Sequence, residues 1–298
     1  MPIYKFISQI LIAFGILLIN LFLFSFIAEL ICKAVFNVDV TQMLITADFS
    51  NADKNFKNAI RVYQGITSMG AFTVSSIIIS FIFKKNPIEY LKLNKISNKN
   101  ILLFIPLIFF ISMPFLSWLI NINAQLKLPE SLVSLETILK NLESKNNTIY
   151  ELMLMMNSYD ELFINLFVMA LVPALGEELF CRGVLLNIFY DYSGKFYRSI
   201  LIVAVIFTVF HLQFYKFIPM VTIAFILGVF VNWTQGLWAS ILFHFFNNCF
   251  AIIGKYYYNK GYDNFFTNQE TNIQFYFVIL SFVASFALLF YLNKIYKK

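Results

Sequence analysis

The chain has 298 residues, 60% of them hydrophobic and only 13% charged, with a mean hydropathy of +0.74. A water-soluble domain carries roughly a quarter charged residues, so this composition excludes one and indicates an integral membrane protein. The net charge of +6 is gathered in a few loops with no long basic run, which argues against a nucleic-acid partner. Three widely separated cysteines, Cys32, Cys181 and Cys249, form neither a disulfide framework nor a zinc knuckle.

A membrane-spanning helix needs about 20 mostly apolar residues, and eight segments approach that length. The first, about residues 6–31, reads as an uncleaved span: it is too long for the apolar core of a signal peptide and lacks a small-residue cleavage site. A polar loop of mixed charge follows at about 32–61, then a second span at 62–83. The lysine-rich segment 84–100 reads as cytoplasmic and leads into a third span at 101–122. The loop 123–160 is acidic and reads as external. Within it Leu132, Leu135, Ile138, Leu139 and Leu142 recur at helical spacing and predict an interfacial helix over about 131–142.

The fourth span covers about 161–189, with Asp160 placed to cap its start. Pro173 and Gly176 weaken it just before the acidic pair Glu177 and Glu178. A proline kink there frees backbone groups near residue 169 and predicts a water-holding pocket beside Glu177. The fifth and sixth segments, 199–214 and 217–233, are short and nearly continuous, and read as a tight hairpin. The seventh, 237–256, ends at the aromatic run Tyr256, Tyr257 and Tyr258, read as an interface belt. The eighth is 273–293, and the tail after it carries no lipidation motif. Lysines and arginines near 195–198 and at 294–298 place both termini in the cytoplasm. The expectation is one all-α, polytopic transmembrane domain over 1–298, of about eight helices with a polar site in the bundle core. Lysine, asparagine, isoleucine and phenylalanine are abundant, which suggests an AT-rich genome and a bacterial cell membrane.

Ionisable side chains in hydrocarbon cost about 2.5–3.5 kcal/mol each, so those present in spans mark a functional site. The chain has only two histidines, His211 and His244, and both lie in apolar segments. Glu178 and Arg182 are four apart and share a helix face, so they should pair; Glu177 points elsewhere, on the face of Cys181. Two carboxylates in divergent environments suit acid–base work. His211 follows Phe207 by one turn, and Asn248 follows His244 by one turn, with helical phase favouring Asn248 over Asn247 for the same face. Three helices can then bring Glu177, His211 and the His244/Asn248 pair to one cavity. Glu and His can take a proton from water, and His and Asn can donate to an oxyanion. Glu177, His211 and His244 also form a possible zinc set of two His and one Glu. The sequence alone leaves metal-activated and Glu/His-activated water both open.

Glu177-Glu178-Leu-Phe-Cys-Arg182, Phe207-Thr-Val-Phe-His211 and His244-Phe-Phe-Asn-Asn248 resemble the EExxxR, FxxxH and HxxxN motifs of the CPBP family. That family contains type II CAAX prenyl proteases and bacteriocin-processing or immunity proteins. The resemblance covers about 160–255, as a catalytic core. It implies a helical intramembrane endopeptidase in which Glu177 and His211 activate water and His244 and Asn248 stabilise the oxyanion. Glu178 and Arg182 fill the remaining motif positions as structural support. The family carries the label metalloprotease, and a metal-free glutamate mechanism is also proposed for it, so one divalent ion such as zinc, or none, is compatible. The implied partner is a peptide or lipidated-protein substrate. Two other classes compete: a non-catalytic immunity or scaffold protein, and an ion transporter that uses the Glu/His cluster as its pathway.

Overall fold

The computed structural model describes residues 1–46, 53–84, 86–94, 100–263 and 273–296. The regular structure among them is entirely helical. Eleven helices follow in order: α1 (Ile3–Phe36), α2 (Val40–Thr46), α3 (Lys54–Lys84), α4 (Pro87–Tyr90), α5 (Ile101–Ala124), α6 (Val133–Met153), α7 (Tyr159–Ser193), α8 (Phe196–Phe210), α9 (Phe217–Thr234), α10 (Trp238–Tyr258) and α11 (Phe275–Tyr296). Six are long and apolar enough to cross a membrane: α1, α3, α5, α7, α11, and α9 together with the 3₁₀ turn Phe214–Lys216 before it. The protein is a polytopic, all-α membrane protein.

The expected count of eight spans is corrected by two helices. α8 has 15 residues, about 22 Å at 1.5 Å per residue, against a hydrocarbon core about 30 Å thick. α10 has 21 residues, but His244, Asn247, Asn248 and Lys255 lower its hydropathy. Composition averages over all faces of a helix, whereas the polar residues of α10 lie toward its neighbours.

The start of α7 also departs from expectation. Ser158, not Asp160, is the cap, its Oγ accepting from Glu161 N at 3.3 Å. Pro173 does not break the helix. It enters directly after a π-helical stretch, Leu166–Leu171, and a second π stretch, Leu179–Leu185, follows the glutamate pair. Proline has no N–H for the carbonyl one turn back, and a π turn shifts the bonding register locally without ending the helix. α3 contains a matching π stretch, Met69–Val74.

α1, α3 and α7 approach closely at small residues. A Cβ on Gly70 would stand 2.0 Å from Phe24 Cγ, and one on Gly176 would stand 2.9 Å from Thr73 Oγ1. Such contacts let backbones pack closely in lipid, where apolar burial gives little drive. A buried hydrogen bond, Asn20 Nδ2 to Ser75 Oγ at 2.9 Å, joins α1 to α3.

Two apolar clusters flank the centre. One joins α1, α7, α8 and α9 through residues such as Leu17, Leu179, Val184, Val203 and Ala224. The other joins α5, α9, α10 and α11 through Phe109, Phe230, Phe243 and Leu292. α10 serves both, Ile241 facing the first and Ala239 and Phe243 the second. Its polar residues Ser240 and His244 therefore lie in the bundle interior.

At the end of the bundle where α7 begins, Arg61 is fully buried. It donates to Met153 O at 2.9 Å and Met155 O at 3.2 Å and pairs with Glu161 at 3.7 Å. This fastens the loop before α7 to α3. The aromatic run at the end of α10 is only partly a belt, because Tyr256 is fully buried and accepts from Lys260 Nζ at 2.6 Å. The expected lysine-rich loop falls partly outside the described residues, as do Lys297 and Lys298.

Gly70→Ala is expected to destabilise the fold by about 1–3 kcal/mol, the usual range for overpacking. Thermal unfolding in detergent checks this, and an unchanged midpoint would contradict the close α1–α3 contact.

Candidate active site

Glu178 is fully enclosed, with none of its surface exposed. A bare carboxylate in such surroundings would be prohibitively costly. Three donors compensate it: Arg182 Nη1 at 2.7 Å and His244 Nδ1 at 3.0 Å reach Oε1, and Ser240 Oγ reaches Oε2. Arg182 is itself buried. Its Nη2 donates to Ala224 O on α9 at 2.9 Å, and its guanidinium lies 5.0 Å from the centre of the Phe207 ring. The pairing expected from the four-residue spacing is present, and it survives the π stretch in which Arg182 lies. Arg182 does not snorkel to an interface.

Glu177 turns the other way. Its Oε2 is buried and has no hydrogen-bond partner among the described residues. Two imidazoles aim at that oxygen, His211 Nε2 from 3.8 Å and His244 Nε2 from 3.7 Å. These separations exceed a direct hydrogen bond. The tautomers follow from the opposite ring nitrogens. His211 Nδ1 lies 2.8 Å from Phe207 O, a carbonyl that only accepts, so Nδ1 carries the proton. His244 Nδ1 lies on the Glu178 carboxylate and donates to it in the same way. In both neutral rings Nε2 then presents a lone pair toward Glu177. Phe207 packs on both rings, with centroids 4.3 Å from His211 and 6.1 Å from His244. Three acceptor atoms thus face one point, an arrangement that suits a small donor such as water.

The residues fit a bound metal less well. No group of three His, Cys, Asp or Glu side chains able to hold an ion occurs among the described residues. Glu178 is already saturated by three donors, and the Nε2–Oε2 separations of 3.8 and 3.7 Å lie a few tenths of an ångström beyond the roughly 3.4 Å between two ligands of one tetrahedral zinc. Glu177, His211 and His244 are the side chains that would hold such an ion, and no chemical step below runs through one.

Asn248 lies one turn beyond His244 and is half-buried. Its Oδ1 accepts from Asn247 at 3.4 Å, and it makes no hydrogen bond to Glu177 or either histidine. Cys181 is buried beneath the cluster as packing. A groove of about 770 Å³ between α1, α2 and α3 is lined by Glu29, Lys33, Asp39 and apolar neighbours. It shares no residue with the cluster.

Residues 159–250 match the family model Rce1-like, described as type II CAAX prenyl endopeptidase Rce1-like. That stretch is similar to the Rce1-like family. It contains every residue of the cluster, in agreement with the CPBP resemblance of the three motifs. No curated protein and no solved structure matches the chain.

Two parts of the site escape the motif reading. Ser240 lies four residues before His244, on the same face, and that spacing was the available signal. The Ala224 carbonyl, which receives Arg182, had none. Arg182→Ala leaves Glu178 short of its cation and is expected to cost about 3–5 kcal/mol, the range for breaking a buried pair. Ser240→Ala removes one bond to a charged group and should cost about 1.5–3 kcal/mol. Thermal midpoints in detergent should fall in that order; equal midpoints would contradict the ranking.

Proposed function

We propose that the protein is an intramembrane endopeptidase that hydrolyses a peptide bond by direct attack of water. The observation that supports this best is the unpartnered, buried Glu177 Oε2 with two imidazole Nε2 atoms aimed at it. The Rce1-like match over residues 159–250 supports the same reaction class.

In this reading Glu177 is the general base. A water held against Oε2 passes a proton to it while its oxygen bonds to the carbonyl carbon of the substrate. His211, fixed by Phe207 O, orients that water with its Nε2 lone pair. His244 is backed by Glu178 and stands opposite; as an imidazolium, with Nδ1–H on Glu178, it has an Nε2–H to donate to the oxyanion as the carbonyl opens. Asn248 is the second donor, because its Nδ2 has no protein partner among the described residues. The proton on Glu177 then moves to the leaving nitrogen, and the C–N bond breaks. Glu178, Arg182 and Ser240 touch no reacting atom; they hold His244 in place.

The substrate is a peptide segment that reaches the site within or from the membrane, either a lipidated C-terminus or a membrane-associated leader. The charged loops of the sequence support an orientation with both termini cytoplasmic, in a single domain whose catalytic core spans about 160–255.

Glu177→Gln and His211→Ala should each slow cleavage of a membrane-anchored peptide in proteoliposomes by about 10²–10⁴-fold, with folded yield unchanged. Glu177→Gln retaining wild-type rates would remove Glu177 as base. If the wild-type protein cleaves neither prenylated CAAX-type peptides nor unmodified membrane-anchored ones, the endopeptidase reading fails.

A further inference from the structure

α6 buries two of its acids and exposes an apolar stripe. Glu136 is buried, accepts from Leu128 N at 3.0 Å and pairs with Lys140 at 2.8 Å. Glu143 is buried and accepts from Tyr215 N at 3.1 Å, and Lys140 lies 5.7 Å from the centre of the Tyr215 ring. Four apolar residues at and just before its first turns point outward: Leu132, Leu135, Ile138 and Leu142 are 43%, 45%, 56% and 39% exposed. They recur every three or four residues and so form one stripe. A stripe of this kind facing water would favour aggregation.

α6 packs on the turn between α8 and α9, which starts at His211. Lys195 and Arg198 hold the start of α8 at an interface, and the helix spans only about 22 Å. Its far end, with His211, therefore lies inside a hydrocarbon core about 30 Å thick. Non-helical backbone at that depth persists only where protein satisfies its polar groups. Two side chains do so here. Asn123, at the end of α5, donates to Phe214 O at 3.0 Å and accepts from Ile218 N at 2.7 Å. Glu143 of α6 takes the amide of Tyr215. Within the turn, Leu212 adopts a left-handed φ of 51°, which this scaffolding must hold in place.

We propose that α6 lies in the interfacial zone of the bilayer, its leucine and isoleucine stripe against phospholipid at the acyl-chain boundary, and that it latches the sunken turn that carries His211. The occupant of the stripe follows from continuity. α6 joins α5 to α7, both candidate spans, and its own charges (Glu136, Lys140, Glu143, Lys145 and Glu151) prevent it from crossing. Both its ends therefore meet the same membrane face.

The test uses the full chain in phosphatidylcholine vesicles with Cys249→Ser, since Cys32 and Cys181 are buried. An environment-sensitive fluorophore is attached at Ile138→Cys or, as control, at Asn146→Cys, an exposed polar position of α6. A nitroxide carried near the top of a lipid chain should quench position 138 several-fold more than 146, and aqueous iodide should do the reverse. Iodide reaching both alike would overturn the proposal. So would quenching of 138 by neither reagent together with an inter-chain disulfide in the unlabelled Ile138→Cys protein, which would assign the stripe to a second copy. Leu142→Cys repeats the measurement if Ile138→Cys fails to fold. For the latch, Glu143→Ala should speed amide exchange across residues 212–216 several-fold, and unchanged exchange would overturn it. No readout depends on cleavage, so the result stands apart from the endopeptidase reading.

Discussion

The site depends on one fully enclosed carboxylate. Glu178 persists as an anion inside a helical bundle because Arg182, Ser240 and His244 all donate to it. Each of those bonds joins elements: Arg182 continues to the backbone of α9, and Ser240 and His244 belong to α10. Removing Glu178 would leave a buried guanidinium unpaired, and removing Arg182 would leave the carboxylate short of charge. The group therefore fixes α7, α9 and α10 relative to one another, and with them the ring plane of His244.

The same arrangement makes Glu177 different from its neighbour. Adjacent residues on a helix point about 100° apart, so when one glutamate is held by the charge cluster the other must face elsewhere. It faces the two Nε2 atoms, with Phe207 packed on both imidazoles and its carbonyl holding His211. One aromatic residue thus touches the guanidinium and both histidines. The enclosed charge cluster and the unpartnered carboxylate are separated by a single step along the chain.

Much of this was legible in the sequence because it rests on local helical geometry. The Glu178–Arg182 pair, the separate direction of Glu177 and the phase of His244 follow from four-residue spacing. Periodicity also placed an amphipathic helix in the loop after the third span, although it runs on to Met153. What the sequence did not disclose are contacts between distant positions. Ser240 meets Glu178 across 62 residues, Arg61 meets Met153 across 92, and Asn123 meets Ile218 across 95. The span count went astray for a related reason: an apolar run does not show where its helix ends, and α8 stops at Phe210, short of the hydrocarbon thickness. The response to Pro173 was also invisible, since a π turn and a kink satisfy the same missing N–H. Asn248 remains the motif residue least tied to the others by contact.

The central claim is that Glu177 and His211 act on one water, and a double-mutant cycle on cleavage rate tests it most directly. Rates for Glu177→Gln, His211→Ala and the double variant are compared with wild type in the same vesicles. If the two residues work as one unit, the double variant is no slower than the slower single variant. Independent losses that multiply in the double variant would contradict a shared water.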